Sequence, residues 1–401
     1  MISSPHRGTT QAGSRAQQCF WALLLVLCAC SAQACSDAPA SNNPTPRPDA
    51  TQDTPKDTPI DTPKDSPDDQ PPATSQAQRV LAGWSTLSTI AGEGREGDKA
   101  VNNWEPQDEG AVATQVDLSR PHIAMADLAG NVYIADKDAH GVRMVRPDGT
   151  IVTVAGTSVA GDGADGPAAS QALSSPNGLW VQPDGTLYIW DLGNLKVRKV
   201  SGGQMTTLFE VPSGGAGRGL WVSPDETQAY VSAGTTLYVW DKDTGVRILA
   251  NGFSSLANVH VGPKGQLGVA DREGSRVWLV DRQSGEKTPY AGDGSIDDAE
   301  AGARALESGL HQVRGLWFHP EGGALVATHK GGKVWYIDDA GVLHLVLDGD
   351  TDRDTHGGDS ERFDTPGKKI SEPRAVTMTP SGALLVTEND RGFIRLVEVA
   401  P

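Results

Sequence analysis

One repeated stretch of sequence constrains the fold of this chain more than any other feature. The repeat is clearest from Gly161 to Val200, where a Gly/Asp-rich loop precedes short apolar runs separated by PDG and GN turns. Short runs rich in β-branched and aromatic residues between such turns predict antiparallel strands in a meander. Repetition at this spacing is typical of stacked units that bury their apolar faces against one another.

The unit occurs six times. The copies are Pro121–Val154, Gly161–Phe209, Gly219–Leu249, Asn258–Ala291, Gly315–Leu347 and Ala375–Val399. The last copy supplies only three strands, and the run Ser85–Gly92 matches the strand that closes the other copies. We expect this run to complete the last unit, so that the two ends of the chain close a ring without an open sheet edge.

The repeat resembles the NHL repeat, which forms one blade of a β-propeller. The residues that carry the resemblance are Pro176, Gly178, Gly185, Leu187, Tyr188, Asp191, Asn194, Lys196, Val197, Arg198 and Lys199. The resemblance implies an all-β fold, a six-bladed NHL-type propeller over residues 79–401. Propellers of this size are commonly one domain.

The N-terminus has the pattern of a secretion signal. An acid-free basic start precedes the apolar run Phe20–Ala29, which is too short to span a bilayer. Cys35 follows an A-x-A sequence, and Cys30 follows a sequence that resembles a lipobox. Both arrangements resemble bacterial lipoprotein precursors. We predict a signal peptide over residues 1–34 and lipidation at Cys35 or Cys30; an ordinary secretory signal is the alternative.

Residues 35–78 form a predicted tether. The segment is rich in Pro, Asp and Thr and has almost no apolar side chains, so we expect it to be disordered. The pattern predicts a protein of the bacterial cell envelope, attached to the membrane through its N-terminal lipid only.

Composition excludes several classes of function. All four cysteines precede residue 36, so the propeller has no disulfide, cysteine nucleophile or thiolate metal site. The formal net charge of −17 argues against nucleic acid as a partner, because phosphate binding needs clustered Lys and Arg. We expect a monomer without a firmly assigned cofactor.

Two positions of the repeat face the ligand-binding mouth in propellers of this resemblance. The residues just before the inner strand are His122, Asn177, Arg218, Ala257, Arg314 and Arg374. Those at the end of the second strand are Asp136, Asp191, Ala233, Asp271, Thr328 and Glu388. The arginines and carboxylates are either structural pairs with each other, or the three arginines bind an anionic or carbonyl-bearing ligand, which the guanidinium fork suits.

Other features surround this mouth. Trp180, Trp221 and Trp317 share one position of the inner strand, where bulky residues are expected to fill the space between neighbouring blades. The loops into blades five, six, one and two are long and acidic, whereas those into blades three and four are short. We expect the long loops to form a raised rim on one side of the mouth.

One loop matches part of an EF-hand pattern. Asp350, Asp352, Asp354 and Glu361 follow the D-x-D-x-D…E spacing that directs oxygens at calcium. Thr355 stands where such a loop needs glycine, and a strand rather than a helix precedes it. The pattern therefore leaves two interpretations, a calcium site and a solvated acidic loop.

The sequence favours binding over catalysis. Peptidylglycine-type lyases hold a metal with several histidines, and only His122 matches; a streptogramin-lyase-like site needs a His–Glu pair, for which His122 and Glu388 are the candidates. We therefore assign no catalytic residue. We expect a protein that presents its mouth to a protein, peptide or glycan ligand, and the alternative is a lyase or lactonase-like hydrolase at the same mouth.

Overall fold

A computed structural model describes residues 74–94, 101–215 and 217–401. The predicted signal peptide, both lipidation sites and residues 36–73 of the predicted tether lie outside this range. Helix α1 (Gln76–Ala82) begins three residues before the predicted start of the propeller at residue 79, and Ser75 caps it. Among the described residues, no helix has the length and apolar character needed to cross a membrane.

The described chain forms six four-stranded antiparallel units. Strand β1 (Trp84–Ala91) comes first. Blade one contains β2 (Pro121–Ala126), β3 (Val132–Asp136), β4 (Gly141–Val145) and β5 (Ile151–Gly156). The short β6 (Gly166–Pro167) precedes blade two, which contains β7 (Pro176–Val181), β8 (Leu187–Asp191), β9 (Lys196–Ser201) and β10 (Gln204–Glu210). Blade three contains β11 (Leu220–Val222), β12 (Gln228–Ala233), β13 (Thr236–Asp241) and β14 (Gly245–Ala250).

The second half of the ring repeats this order. Blade four contains β15 (Leu256–Val261), β16 (Leu267–Asp271), β17 (Arg276–Val280) and β18 (Lys287–Ala291). Blade five contains β19 (Val313–Phe318), β20 (Ala324–Thr328), β21 (Lys333–Ile337) and β22 (Leu343–Leu347). The short β23 (Gly349–Asp350) and β24 (Ile370–Ser371) pair in the next loop, and blade six contains β25 (Pro373–Met378), β26 (Leu384–Glu388) and β27 (Phe393–Val399). Short 3₁₀ helices lie at Pro106–Asp108, Ala113–Gln115, Ala168–Ser170, Leu192–Asn194 and Ala305–Glu307.

The two ends of the described chain close the ring, as the sequence predicts. Strand β1 pairs antiparallel with β27, with Leu87 opposite Val397, so the blade order is β1-β27-β26-β25. Both residues are fully buried between blades five and six. The fold is therefore an all-β, six-bladed propeller whose seam is sealed by its N-terminal strand.

A bulge at the start of the inner strand sets which side chains face the ring axis. In blade one, Pro121 pairs with Asp136 but Ala124 pairs with Ile134, so the inner strand carries one extra residue. Blades two, four, five and six show the same irregularity. Because strand side chains alternate, one extra residue places positions three apart on the same face. The inner strands of these five blades thus each direct two side chains to the axis.

The deeper of these two axial layers is aromatic. The ring centroids of Trp180 and Trp317 lie 5.9 Å apart, and those of His260 and Trp317 lie 4.1 Å apart. Trp180 also contacts Trp221, at 5.9 Å. Blades two and five are not neighbours, so the tryptophans fill the centre of the ring and not only the gaps between adjacent blades. This aromatic layer is the floor of the mouth.

The four long loops run down the outer wall, which differs from the rim that the sequence predicts. Each one donates backbone hydrogen bonds to the outer strand of its own blade or accepts them from it. The bonds include Gly110 N to Ile151 O at 2.8 Å, Leu343 N to Ala303 O at 3.0 Å, and Leu87 N to Glu361 O at 2.9 Å. In blade two, the short strand β6 of the loop pairs with β10. The loops therefore cover the open edges of blades one, two, five and six.

Blades three and four follow short loops. Among the described residues, no loop forms backbone hydrogen bonds along their outer strands β14 and β18. In β18, Pro289 removes a backbone donor from the edge, which hinders pairing with another strand. Strand β14 has no proline, and its Ile248 is 52% exposed. It is the least protected of the outer strands that the structure describes.

The described chain starts on the face opposite the mouth. The amide of Gln76 donates to Glu321 O at 2.8 Å, and its carbonyl oxygen accepts from Asp339 N at 2.8 Å. The indole of Trp84 donates to Gly382 O at 3.0 Å. These three partners lie in turns at the far ends of the blades from the mouth.

Candidate functional site

The predicted mouth carboxylates are held by arginines of their own blades. Asp136 Oδ2 lies 3.6 Å from Arg143 Nε, Asp191 Oδ2 lies 3.3 Å from Arg198 Nε, and Glu388 Oε1 lies 3.1 Å from Arg395 Nη1. All six side chains are at most 1% exposed. Asp271 instead accepts the N–H groups of Ser254 and Ser255, at 3.0 and 2.8 Å. The acids are therefore not the counter-ions of the mouth arginines, and the predicted structural pairing between the two sets is wrong.

Arg143, Arg198 and Arg395, which we call the scaffold arginines, also form ion pairs with the long loops. Arg198 Nη2 lies 2.5 Å from Asp162 Oδ1, Arg395 Nη2 lies 2.9 Å from Asp359 Oδ1, and Arg143 Nη1 lies 3.9 Å from Glu109 Oε1. Burial raises the pKa of Asp136 to about 6 and that of Glu388 to about 7, and the adjacent arginines only partly oppose this. In blades one, two and six, the buried arginine thus links a blade carboxylate to a carboxylate of the long loop.

The mouth arginines, by contrast, have few partners. Among the described residues, no hydrogen-bond acceptor reaches the buried Nε and Nη1 of Arg218, Nε and Nη1 of Arg314, or Nε of Arg374. Arg314 Nη2 donates to Gln312 Oε1 at 2.7 Å. Arg314 is 7% exposed and Arg374 is 5% exposed. A buried cationic donor without an acceptor is costly, so the fold maintains an unfavourable arrangement here.

The three arginines also affect one another. Burial lowers the pKa of Arg218 well below its usual range, and the charges of Arg374 and Arg314 lower it further. Burial and the neighbouring Arg272 lower the pKa of Arg314 to about 10. Like charges lower the pKa of one another only at short range, so this repulsion indicates that the guanidinium groups are neighbours. They form a local positive centre in a strongly acidic protein.

His122 and Asn177 complete the upper axial layer. His122 Nδ1 donates to Asn177 Oδ1, because Asn177 Nδ2 is itself directed at Gly217 O, at 2.7 Å. His122 Nε2 accepts from Arg374 Nη1 at 3.3 Å. Burial, with Arg374 and Arg218, holds the pKa of His122 well below its usual range, so the imidazole is neutral. Both ring nitrogens are occupied, and Glu388 is held by Arg395, so the His122–Glu388 pair that a lyase-like site would need does not form.

A cluster that the sequence analysis missed lies beside these arginines. A ring nitrogen of His329 and one carboxylate oxygen from each of Glu372 and Asp390 lie within 4.8 Å of one another, the one such group of three or more potential metal ligands among the described residues. Arg374 Nη2 lies 3.8 Å from Asp390 Oδ1. We call His329, Glu372 and Asp390 the acceptor cluster. Its members lie one or two residues from the aligned mouth positions, so repeat alignment alone did not select them.

Backbone conformation gives a signal that could have identified this region. The residues two positions before four of the mouth side chains have positive φ: Arg120 at 63°, Ser175 at 52°, Gln312 at 51° and Glu372 at 45°. Three of these precede proline in the sequence. Left-handed backbone at a residue other than glycine is uncommon and concentrates at functional sites. A polar residue before the first proline of the blade is therefore a useful marker of the mouth.

The acidic loop places its carboxylates beside cations of the chain itself. Asp350 Oδ2 lies 3.0 Å from Lys368 Nζ, Asp354 contacts Arg391, and Glu361 Oε2 lies 3.8 Å from Lys369 Nζ. Asp352 Oδ1 accepts the N–H of Asp354 at 3.0 Å. The four groups therefore do not form a converging set of oxygens in this arrangement. The calcium site stays a prediction.

Comparisons with known proteins agree with this architecture. The model of the teneurin NHL domain matches residues 85–201. Teneurin-3 of Danio rerio is 32% identical over 152 residues, which cover 34% of this chain and 5% of that protein. The chain thus matches only a small part of the curated relative.

Solved structures share the fold across most of the chain. An auxiliary nutrient binding protein from Bacteroides thetaiotaomicron has a TM-score of 0.56 and 12% identity, over 79% of this chain and 76% of that one. A gluconolactonase from Xanthomonas campestris has a TM-score of 0.52 and 14% identity, over 80% and 92%. Similarity at these identities shows the fold alone. The chain is a six-bladed β-propeller of the NHL type.

Proposed function

We propose that this protein is a binding protein whose propeller mouth binds a compact anionic group, a carboxylate or phosphate, carried by a protein, peptide or glycan. The observation that carries the proposal is the set of unpartnered, buried nitrogens on Arg218, Arg314 and Arg374. An oxyanion placed among them would accept several charge-assisted hydrogen bonds and relieve their repulsion. The nutrient-binding role named for one structural neighbour is compatible with this proposal.

The acidic surface supports selection by size. A small or slender anion can reach the positive centre, whereas a polyanion is repelled more strongly by a chain whose net charge is −17. The aromatic floor blocks the channel below, so the ligand enters and leaves from one side.

The described chain begins on the face opposite the mouth, where Gln76 bonds to Glu321 and Asp339. We propose that lipid at Cys35 or Cys30 attaches the protein to a bacterial envelope membrane and that residues 36–73 act as a spacer. Replacing both cysteines with serine should release the protein from the membrane fraction. Unchanged retention of that double variant would contradict the anchor.

Binding is tested by titration calorimetry with inorganic phosphate and with small carboxylates. The Arg314→Gln/Arg374→Gln variant should lose binding, because glutamine keeps much of the volume but removes the charge. Arg247→Gln is the matched control, since Arg247 is an exposed arginine on the outer strand β14. Equal binding by all three proteins would refute the mouth as the anion site.

A second candidate function is a lyase or lactonase-like hydrolase. One observation favours it: His329 Nδ1 lies 2.9 Å from the carbonyl oxygen of Glu372, which can only accept, so the lone pair of a neutral ring is on Nε2. A neutral imidazole with its lone pair on Nε2 can accept a proton from a substrate or a water molecule. Hydrolysis of glucono-δ-lactone by the parent but not by His329→Phe would support this function, and equal rates with both proteins would exclude it for that substrate.

A further inference from the structure

The acceptor cluster limits the chemistry of a ligand that binds to the mouth arginines. His329 is 3% exposed and follows the second strand of blade five. Its Nδ1 carries the proton, so Nε2 can accept a hydrogen bond, and Nε2 lies 4.0 Å from Glu372 Oε1. Burial, with Arg374 and Arg314, holds the pKa of His329 well below its usual range. The ring therefore remains a neutral acceptor.

Asp390 provides a second acceptor at the same place. Although burial alone would raise its pKa, a hydrogen bond from Glu372 and the charge of Arg374 lower it, so Asp390 is ionised. Burial and the neighbouring Asp390 raise the pKa of Glu372, which makes Glu372 the partner that holds a proton more readily. Two acceptors, His329 Nε2 and Asp390, thus lie side by side next to a guanidinium donor.

A metal ion fits this cluster poorly. Lys330 Nζ contacts Glu372 Oε1, and Arg353 Nη2 lies 3.9 Å from Asp390 Oδ2. Arg374 is also adjacent to Asp390. Cations of the chain already occupy the carboxylates, and a divalent ion would be repelled by the arginines. Uncharged hydrogen-bond donors fit both the acceptors and the surrounding charge.

We propose that the ligand of the mouth is a hydroxy carboxylate of the sugar-acid type. Its carboxylate binds the guanidinium groups of Arg218, Arg314 and Arg374, and two neighbouring hydroxyls donate to His329 Nε2 and Asp390. This inference rests on the anion-binding function proposed above. A peptide C-terminus fits less well, because it offers one N–H beside its carboxylate, whereas the cluster offers two adjacent acceptors.

The test uses titration calorimetry on the whole protein with four probes. D-galacturonate carries the carboxylate and the hydroxyls, cyclohexanecarboxylate keeps the ring and the carboxylate, galactose keeps only the hydroxyls, and N-acetylalanine represents a peptide terminus. We expect galacturonate to bind at least tenfold more tightly than cyclohexanecarboxylate or N-acetylalanine, and galactose not to bind. A tenfold difference corresponds to about 1.4 kcal/mol, the scale of one hydrogen bond left unmade at a buried acceptor.

A variant separates the two parts of the site. His329→Phe removes the acceptor and keeps a ring, so it should weaken galacturonate about tenfold and leave cyclohexanecarboxylate unchanged. His344→Phe is the matched control, because His344 lies on the outer strand β22 and pairs with Asp338 at 2.9 Å. The comparison among probes on the parent protein needs no variant, so it holds even if His329→Phe does not fold.

The outcomes distinguish this inference from the proposed function. Equal affinity for galacturonate and cyclohexanecarboxylate would overturn the hydroxy-acid inference and leave the anion site in place. Tighter binding of N-acetylalanine would overturn it in favour of a peptide terminus. Binding of inorganic phosphate without binding of any carboxylate would overturn the hydroxy-acid inference alone. Failure of inorganic phosphate and of every carboxylate to bind would refute the proposed function itself, and the inference with it.

Discussion

The division of the arginines into scaffold and mouth groups predicts opposite effects of two substitutions on stability. Glu388→Ala removes a carboxylate that accepts from Arg395 at 3.1 Å and from Ser371 N at 2.7 Å, with Arg395 fully buried. Breaking one side of a buried ion pair costs about 3–5 kcal/mol. Asp359 remains 2.9 Å from Arg395, so we expect the lower end, about 3 kcal/mol.

Arg314→Gln should behave differently. The Nε and Nη1 of Arg314 have no acceptor among the described residues, and other arginines repel its charge. Removing that charge should leave the free energy of unfolding unchanged within about 0.5 kcal/mol or raise it. Urea denaturation of the parent and both variants measures this, with the slope checked for two-state behaviour. A loss of about 3 kcal/mol in Arg314→Gln would show that the mouth arginines are scaffold and would refute the division.

Three further predictions follow from the fold. Leu87→Asp, which places a charge in the fully buried seam strand, should cost several kcal/mol and promote aggregation; a variant that melts like the parent would refute closure through β1. Ile248→Lys on the uncovered strand β14 should slow aggregation on heating, measured by light scattering, without changing the melting temperature. Burial lowers the pKa of His260 to about 3, so its ring stays neutral in the fold. Below pH about 6.5 the unfolded chain binds a proton at His260 that the folded protein does not, so the free energy of unfolding falls as the pH drops. His260→Gln should reduce the slope of the free energy of unfolding against pH by about 1.4 kcal/mol per pH unit, down to the folded pKa. An unchanged slope would refute the neutral ring.

The sequence predicted the architecture well because each blade is a local unit. The turns and the apolar runs are visible within one repeat. The pairing of β1 with β27 follows from counting strands, because the last repeat lacks one strand and the N-terminal run supplies it. Alignment of the repeats also placed residues from different blades in one layer. His122 and Arg374, which are far apart in the chain, are in contact at 3.3 Å.

The partners of those residues were harder to predict. Arg143, Arg198 and Arg395 lie on third strands, outside the two repeat positions assigned to the mouth, yet they neutralise acids assigned to the mouth. Aligning positions shows which residues share a layer but not which of two nearby arginines a carboxylate contacts, because that depends on side-chain direction. The bulge in the inner strand changes that direction by one residue.

The contacts of the long loops were also not predictable from the sequence. Their length and acidity were evident, but Asp162 and Asp359 bind arginines on the blades beneath them, and backbone pairing holds the loops to the outer edges. Composition cannot show which surface a loop covers. The acceptor cluster was missed for a similar reason, since His329 and Asp390 lie in turns just beyond the strands that define the repeat.

A crystal structure of the protein soaked with a small carboxylate tests the central claim most directly. We expect carboxylate oxygens within about 3.2 Å of the Nε or Nη1 atoms of Arg218 and Arg314, above the aromatic floor. Density for the carboxylate only on the outer wall, with the mouth nitrogens bonded to protein acceptors instead, would contradict it.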